Sequence, residues 1–335
     1  MTEQVKDSKS KIPARIFKVI TWLLAFGCFY MVYSKVNSAA VAEGVSALDF
    51  VWNFISEANW WLWLAIMIPY SFFFFLVDSH VTWRAVRWFN APTLKLTDIL
   101  PIRGSAYILS LISEQVGKGG MTLYLWRRHK APGWQVLSTM IFLGLMEIYQ
   151  LLLFSFLGML QYFEEISSAS TTLPLHIILV GVLIFAVAYL PLHILFFRGY
   201  IGKSLNLRNH QYLRAFREAQ VKHYALTVLF KAPNLIGAIF VYTTALWLFQ
   251  VEASFGQMLV FLPLIFLAAA LPLPFHAGAL LIWTLLFPDY PEVGIFSLIM
   301  HTFFVLFNAL IGVAFLPKAN RELFDESTAD SSAAQ

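Results

Sequence analysis

Apolar and polar positions fall into long blocks along this chain of 335 residues. Six blocks, residues 16–34, 60–77, 136–160, 173–197, 223–250 and 294–316, are apolar over most of their length. A helix rises 1.5 Å per residue, so about 18–20 residues cross a hydrocarbon core of roughly 30 Å. Each block therefore predicts one membrane-spanning helix. Trp60, Trp61 and Trp63 open the second block, where tryptophan suits a membrane interface. Residues 80–90, with Trp83, Arg84, Arg87 and Trp88, read as an amphipathic interfacial piece after it.

Two further apolar segments are interrupted. In 101–130, Arg103, Tyr107, Ser110, Glu114 and Lys118 recur at i, i+4, i+7, i+11 and i+15. On a continuous helix they occupy a wedge of roughly 80°, a polar stripe that needs a cavity, a partner or a ligand. Gly117, Gly119 and Gly120 predict that this helix stops there. The second segment, 255–287, breaks at Leu-Pro-Leu-Pro-Phe-His-Ala-Gly, residues 271–278.

Charge placement turns these blocks into a topology. Five Lys/Arg sit at the N-terminal end, eight in 79–135, six in 198–222 and two in 317–335. Only Lys35 and Lys231 fall elsewhere. Glu43, Asp49, Glu57, Glu164, Glu165, Glu252, Asp289 and Glu292 occupy the intervening loops. The positive-inside bias predicts a multi-pass protein of the inner membrane with both termini cytoplasmic. Each interrupted segment then begins and ends on one face. Both read as broken re-entrant segments, entering from opposite faces as in an inverted repeat. The predicted fold is an all-α polytopic membrane protein with about six full spans. It divides into a cytoplasmic segment 1–15, a transmembrane domain 16–316 and a disordered cytoplasmic tail 317–335.

Composition agrees with this class and narrows the chemistry. Hydrophobic residues make up 59% of the chain and charged residues 13%, with a mean hydropathy of +0.69. The net charge of +4 follows from the loop lysines and arginines and calls for no nucleic acid. One cysteine, Cys28, excludes an intramolecular disulfide. Nothing in the sequence has the spacing of a zinc site, a metalloprotease helix or a phosphate loop, so no metal or cofactor is expected.

Several polar residues lie at membrane depth. Glu147 is near the middle of its span, with Gln150 close to one turn on. It reads as a cavity-facing group paired with Arg103 or Lys118, as a proton carrier, or as a clasp between helices. Lys231 and Asn234 share a stripe with Thr227 and Tyr242. Lys231 either meets a ligand or snorkels to the surface. His276 sits in the second break, where it binds a head group or caps free carbonyls. The phenylalanine runs 72–75 and 303–304 read as lipid-facing packing.

Three stretches carry a family resemblance: Ser-Glu-Gln-Val-Gly-Lys-Gly-Gly at 113–120, Leu-Tyr-Leu-Trp-Arg-Arg at 123–128, and 138–147 with its mid-span Glu147. They resemble the transmembrane flippase-type domain of lysylphosphatidylglycerol synthases and their stand-alone relatives. The break at 271–278 is similar to that family's second broken helix, and the resemblance covers roughly 15–317. Family members usually carry an acidic residue and an arginine after the glycine pair, where this chain has Met121, Thr122, Leu123 and Tyr124. After the second turn many have Gly-x-x-Glu, where Ala279, Leu280 and Leu281 follow Gly278. The departures leave the substrate open. The resemblance implies a lipid translocase. The family's soluble aminoacyl-transferase domain is absent here, so lysyl transfer is not expected.

Three readings follow. In the first, Arg103, Tyr107, Ser110, Glu114, Lys118, Glu147, Gln150, Lys231, Asn234 and His276 line a polar cleft for a lipid head group, anionic or polyprenyl-linked. In the second, the chain anchors or partners a lipid- or glycan-modifying enzyme, alone or as a homo-oligomer. In the third, Glu114 and Glu147 form an acid/base pair acting on a lipid-linked substrate; no nucleophile accompanies them.

Overall fold

The computed structural model describes residues 14–111, 114–168, 174–202, 206–271 and 273–324. Among these are twelve α-helices, three short 3-10 turns and no strand. Six helices are long and apolar enough to span a bilayer: α1 (Ala14–Ala42), α3 (Trp60–Phe89), α6 (Gly133–Ser168), α7 (Leu175–Phe197), α9 (Val221–Leu248) and α12 (Val293–Phe324). The chain is an all-α polytopic membrane protein, the arrangement that satisfies backbone polar groups within each segment. Two short helices, α2 (Ala47–Glu57) and α8 (Arg214–Glu218), lie in the connections.

The helices extend past the apolar blocks because polar residues cap or prolong them. Asn59 Oδ1 accepts from the Leu62 amide and starts α3. That helix runs without interruption through 80–90, so the predicted interfacial piece is its last three turns. The loop expected at 35–59 is mostly helical, in α1 and α2. Helix α12 continues through Pro317 to Phe324. Its last turn is held by the Tyr124 hydroxyl, which donates to the Glu322 carboxylate. Arg128 Nη1 also donates to the Glu322 carbonyl at 3.4 Å. Residues 317–324 thus belong to the packed bundle. Of the predicted N-terminal segment 1–15, residues 14 and 15 begin α1; residues 1–13 and the tail beyond 324 lie outside the described residues.

The two interrupted segments are helical hairpins. In the first, α4 (Leu96–Ser110) packs against α5 (Glu114–His129). The predicted stop at Gly117–Gly120 is incorrect: these glycines lie inside α5, and the break falls after Ser110. Their role is close approach. A Cβ on Gly117 would lie 2.3 Å from Ser110 Oγ, and one on Gly120 would lie 2.4 Å from Leu109 Cδ1. The stripe predicted on one helix is therefore split. Arg103, Tyr107 and Ser110 stand on α4, and Lys118 stands on the antiparallel α5. In the second hairpin, α10 (Phe255–Ala269) and α11 (Ala277–Leu286) flank the break at the expected place, through a 3-10 turn at Pro274–His276. A reciprocal Ser254–Gln257 cap starts α10, with both bonds at 3.0–3.1 Å.

Packing between the halves is reciprocal. Each half consists of a span, a hairpin and a span: α3, α4–α5, α6, then α9, α10–α11, α12. The first hairpin's α4 packs on α12, and the second hairpin's α10 packs on α6. The first spans, α3 and α9, pack on each other. Exchanging the halves maps this scheme onto itself, as an inverted repeat requires. Because the two halves are joined by α7, one further span, the hairpins begin at opposite ends of the bundle. Both exchanged contacts use a glycine from each helix. A Cβ on Gly312 would meet the Gly104 carbonyl at 2.7 Å, and one on Gly158 would meet Val260 Cγ2 at 2.3 Å. Gly104 itself faces Phe315, and Gly256 faces Tyr162. Small residues let helix backbones approach where lipid supplies no hydrophobic drive.

Gly312→Val is expected to destabilise the protein by about 1–3 kcal/mol, the usual cost of overpacking. Gly181→Val on α7, with nothing within 4 Å of its Cβ position, serves as the control. Thermal melting in detergent reads both, and equal loss from the two variants would contradict the account. Single cysteines at positions 95 and 130, introduced with Cys28→Ser, should label from the same side of the membrane. Labelling from opposite sides would remove the first hairpin.

Candidate functional site

Two adjoining cavities lie where the hairpins meet the long spans. The first, about 230 Å³, is bounded by α3, α4, α5, α6, α9 and α12. Arg103, Tyr107, Ser110, Lys118, Glu147 and Lys231 line it, joined by Asp78 and Asn308. The second, about 220 Å³, takes its walls from α10, α11, His276, α3, α6, α9 and α12. Phe74, Glu147 and Phe304 line both. Each hairpin thus helps to close one cavity, and Glu147 stands at their junction.

The charged groups of the first cavity are organised as pairs. Arg103 Nε donates to Asp78 Oδ2, with both side chains largely buried. The Tyr107 hydroxyl donates to the same oxygen at 3.2 Å. The guanidinium also lies over the Tyr107 ring, 4.8 Å from its centroid, with Nη1 3.7 Å from Met121 Sδ. A planar cation held by carboxylate, ring and thioether keeps further donors for the cavity. Lys231 Nζ donates to Glu147 Oε2 at 3.0 Å. The lysine side chain is only 11% exposed, whereas the glutamate is 55% exposed, its free surface turned to the cavities.

This geometry corrects two expectations. Glu147 pairs with Lys231 and not with Arg103 or Lys118, so the bond ties α6 of one half to α9 of the other. Lys231 accordingly does not snorkel outward. Position along the helices explains the pairing. Glu147 lies about 21 Å from the start of α6, and Lys231 about 15 Å from the start of α9. Both are near mid-bundle, where a carboxylate and an ammonium each need a counter-charge.

Other candidates divide. Lys118 reaches the first cavity from α5, its Nζ 3.3 Å from the Cβ position of Gly144. His276 has left-handed backbone, φ 50°, and its Nδ1 lies 2.9 Å from the Ala269 carbonyl. It thus caps the end of α10 while lining the second cavity. Gln150 and Asn234 are buried and line neither cavity. Asn234 instead joins α9 to α3: its Nδ2 donates to the Phe74 carbonyl at 3.4 Å, and its own carbonyl accepts from the Tyr70 hydroxyl at 3.2 Å. The side chain of Glu114 lies outside the described residues. The phenylalanines are not uniformly lipid-facing. Phe75 is buried beside Tyr107, and Phe74 and Phe304 meet edge-on at 4.7 Å between the cavities.

Sequence reasoning missed Asp78, Asn308, Tyr242's place in the site, and His301. The signal for Asp78 was present: one carboxylate inside a run of phenylalanine, leucine and valine. It was lost by ending the second span at Val77, one residue short. Among the described residues no group of three or more His, Cys, Asp or Glu converges as a metal site requires. Among the described residues, three cationic side chains, Arg103, Lys118 and Lys231, converge on the first cavity from three different helices. Cationic donors gathered at one place in a low-dielectric setting suit an anion. No family model, curated protein or solved structure matches the chain.

Asp78→Leu should destabilise the protein by about 3–5 kcal/mol, since it strands the Arg103 guanidinium. Adding Arg103→Leu should restore much of that loss. Unfolding in detergent of the two single variants and the double variant measures the coupling; additive losses would show that the pair contributes nothing as a pair.

Proposed function

We propose that the chain is a lipid translocase. It passes a polar, anionic head group through the cleft made by the two cavities, while the acyl or prenyl chains stay in the surrounding lipid. The observation that carries this reading is the convergence of Arg103, Lys118 and Lys231 on one cavity at mid-bundle, walled by the first hairpin and by spans of both halves. A phosphate there meets the fork of Arg103 and the ammonium groups of Lys118 and Lys231, the donors that suit phosphate oxygens. Reciprocal packing of the halves supports it, since inverted repeats place a binding site at their shared interface and expose it to either face by moving one unit against the other. The loop charges orient the protein in the inner membrane with both termini cytoplasmic. The resemblance to the flippase-type domain of lysylphosphatidylglycerol synthases points to the same class of activity.

Glu147 holds Lys231 in the absence of an anion and gives way to one, because the glutamate is the exposed member of the pair. Head-group entry thereby exchanges one ion pair for another and leaves no buried charge unmatched.

The test is reconstitution into liposomes with tail-labelled lipids and an impermeant quencher. Phosphatidylglycerol should become accessible from the inner leaflet, and phosphatidylcholine should remain trapped. Lys231→Met should slow phosphatidylglycerol movement at least about tenfold, equivalent to roughly 1.4 kcal/mol. Equal movement of both lipids, or of neither, would defeat the proposal.

A further inference from the structure

The second cavity differs in chemistry from the first. Among the described residues no lysine or arginine lines it, and its one carboxylate is Glu147, which pairs with Lys231. It is therefore not a second phosphate site. Its walls combine aromatic rings, among them Phe74, Tyr242, Phe266 and Phe304, with neutral polar groups. The hydroxyl of Tyr242, the hydroxyl of Ser297 and the imidazole of His301 all line it. Among the described residues none of the three has a hydrogen-bond partner. His301 lies beside His276, ring centroids 4.2 Å apart and the rings tilted by 57°, and His276 engages a backbone carbonyl through Nδ1. These polar atoms face the cavity and are not enclosed by protein, so they are open to a hydroxyl-bearing ligand that enters it. Ser297 strengthens the point: it is 8% exposed, on a helix where a serine commonly bonds back to its own turn.

We propose that the second cavity binds an uncharged, hydroxyl-rich group, a sugar or polyol, esterified to the phosphate held in the first cavity. This rests on the translocase reading and names its substrate class: a lipid phosphodiester with a polyhydroxyl head. The rings receive the apolar C–H face of such a group, and the hydroxyl and imidazole atoms meet its hydroxyls as donors or acceptors. The two cavities share only the layer of Phe74, Glu147 and Phe304, so a single molecule occupies both by passing these side chains. The phosphate sits between Arg103, Lys118 and Lys231, and the substituent passes Glu147, whose second carboxylate oxygen accepts from a hydroxyl at the junction. A bare phosphate leaves the second cavity's polar atoms unmatched.

The experiment compares two lipids with the same chains and the same single negative charge, phosphatidylinositol and phosphatidylmethanol. Binding of each to the purified full-length protein is measured in detergent. Phosphatidylinositol should bind at least about tenfold more tightly, since each net hydrogen bond contributes about fivefold. The double variant Tyr242→Phe/Ser297→Ala removes two hydroxyls and keeps the packing. It should bring the ratio of the two affinities to about twofold or less. Equal affinities for the unmodified protein, a preference for phosphatidylmethanol, or an unchanged ratio in a folded double variant would each overturn the proposal. The ratio in the unmodified protein decides the matter alone if the variant does not fold. Liposome movement is scored separately. Movement without preference removes the polyol subsite and leaves the translocase, while preference without movement leaves a binding site and removes translocation.

Discussion

Charge at membrane depth has to be matched, and two ion pairs do most of that work here. Asp78–Arg103 fixes the first hairpin to α3, and Glu147–Lys231 fixes one half of the bundle to the other. They differ in exposure. The first pair is enclosed and further held by Tyr107, so it is a fixed part of the wall. The second has one buried and one open member. On the proposed translocase reading, a rigid cation beside an exchangeable one lets the site keep its shape while its occupant changes.

The same division appears in the helix contacts. Where α4 meets α12 and α10 meets α6, glycines bring backbones so close that a methyl group would collide with a carbonyl or a side chain. At these crossings each glycine leaves room for a neighbour, Phe315 at Gly104, Ile108 at Gly312, Val260 at Gly158 and Tyr162 at Gly256, and the contacts rely on dispersion at short range. They also explain how two half-length hairpins are held inside the bundle. Each is clasped by the last span of the opposite half, so neither half closes its own cavity alone.

Much of this was legible in the sequence, and the failures have physical reasons. The six spans, both hairpins and the break at 271–278 follow from apolar length, charge placement and proline. Seven of the ten candidate residues reach a cavity wall. Gln150 and Asn234 fail in the same way. Each follows a cavity residue by three positions, Glu147 and Lys231, and three residues turn a helix by about 300°, which leaves the second side chain rotated by roughly 60°. That angle separates a cavity wall from a helix contact. The glycines at 117–120 were misread because a glycine inside a helix looks like a stop until the facing helix is known. The partner of Glu147 was misassigned because sequence proximity favoured the adjacent hairpin, whereas depth along α6 and α9 decided it. Asp78 was overlooked because hydropathy closed the span one residue early.

The wall shared by the two cavities is thin. Phe74, Glu147 and Phe304 are the residues common to both linings, and the two rings meet edge-on at 4.7 Å. The two cavities are therefore separated by one layer of side chains and not by the thickness of a bilayer. On the proposed translocase reading, the size limit of whatever passes follows from the side-chain volume at positions 74 and 304 and not from the spacing of the helices.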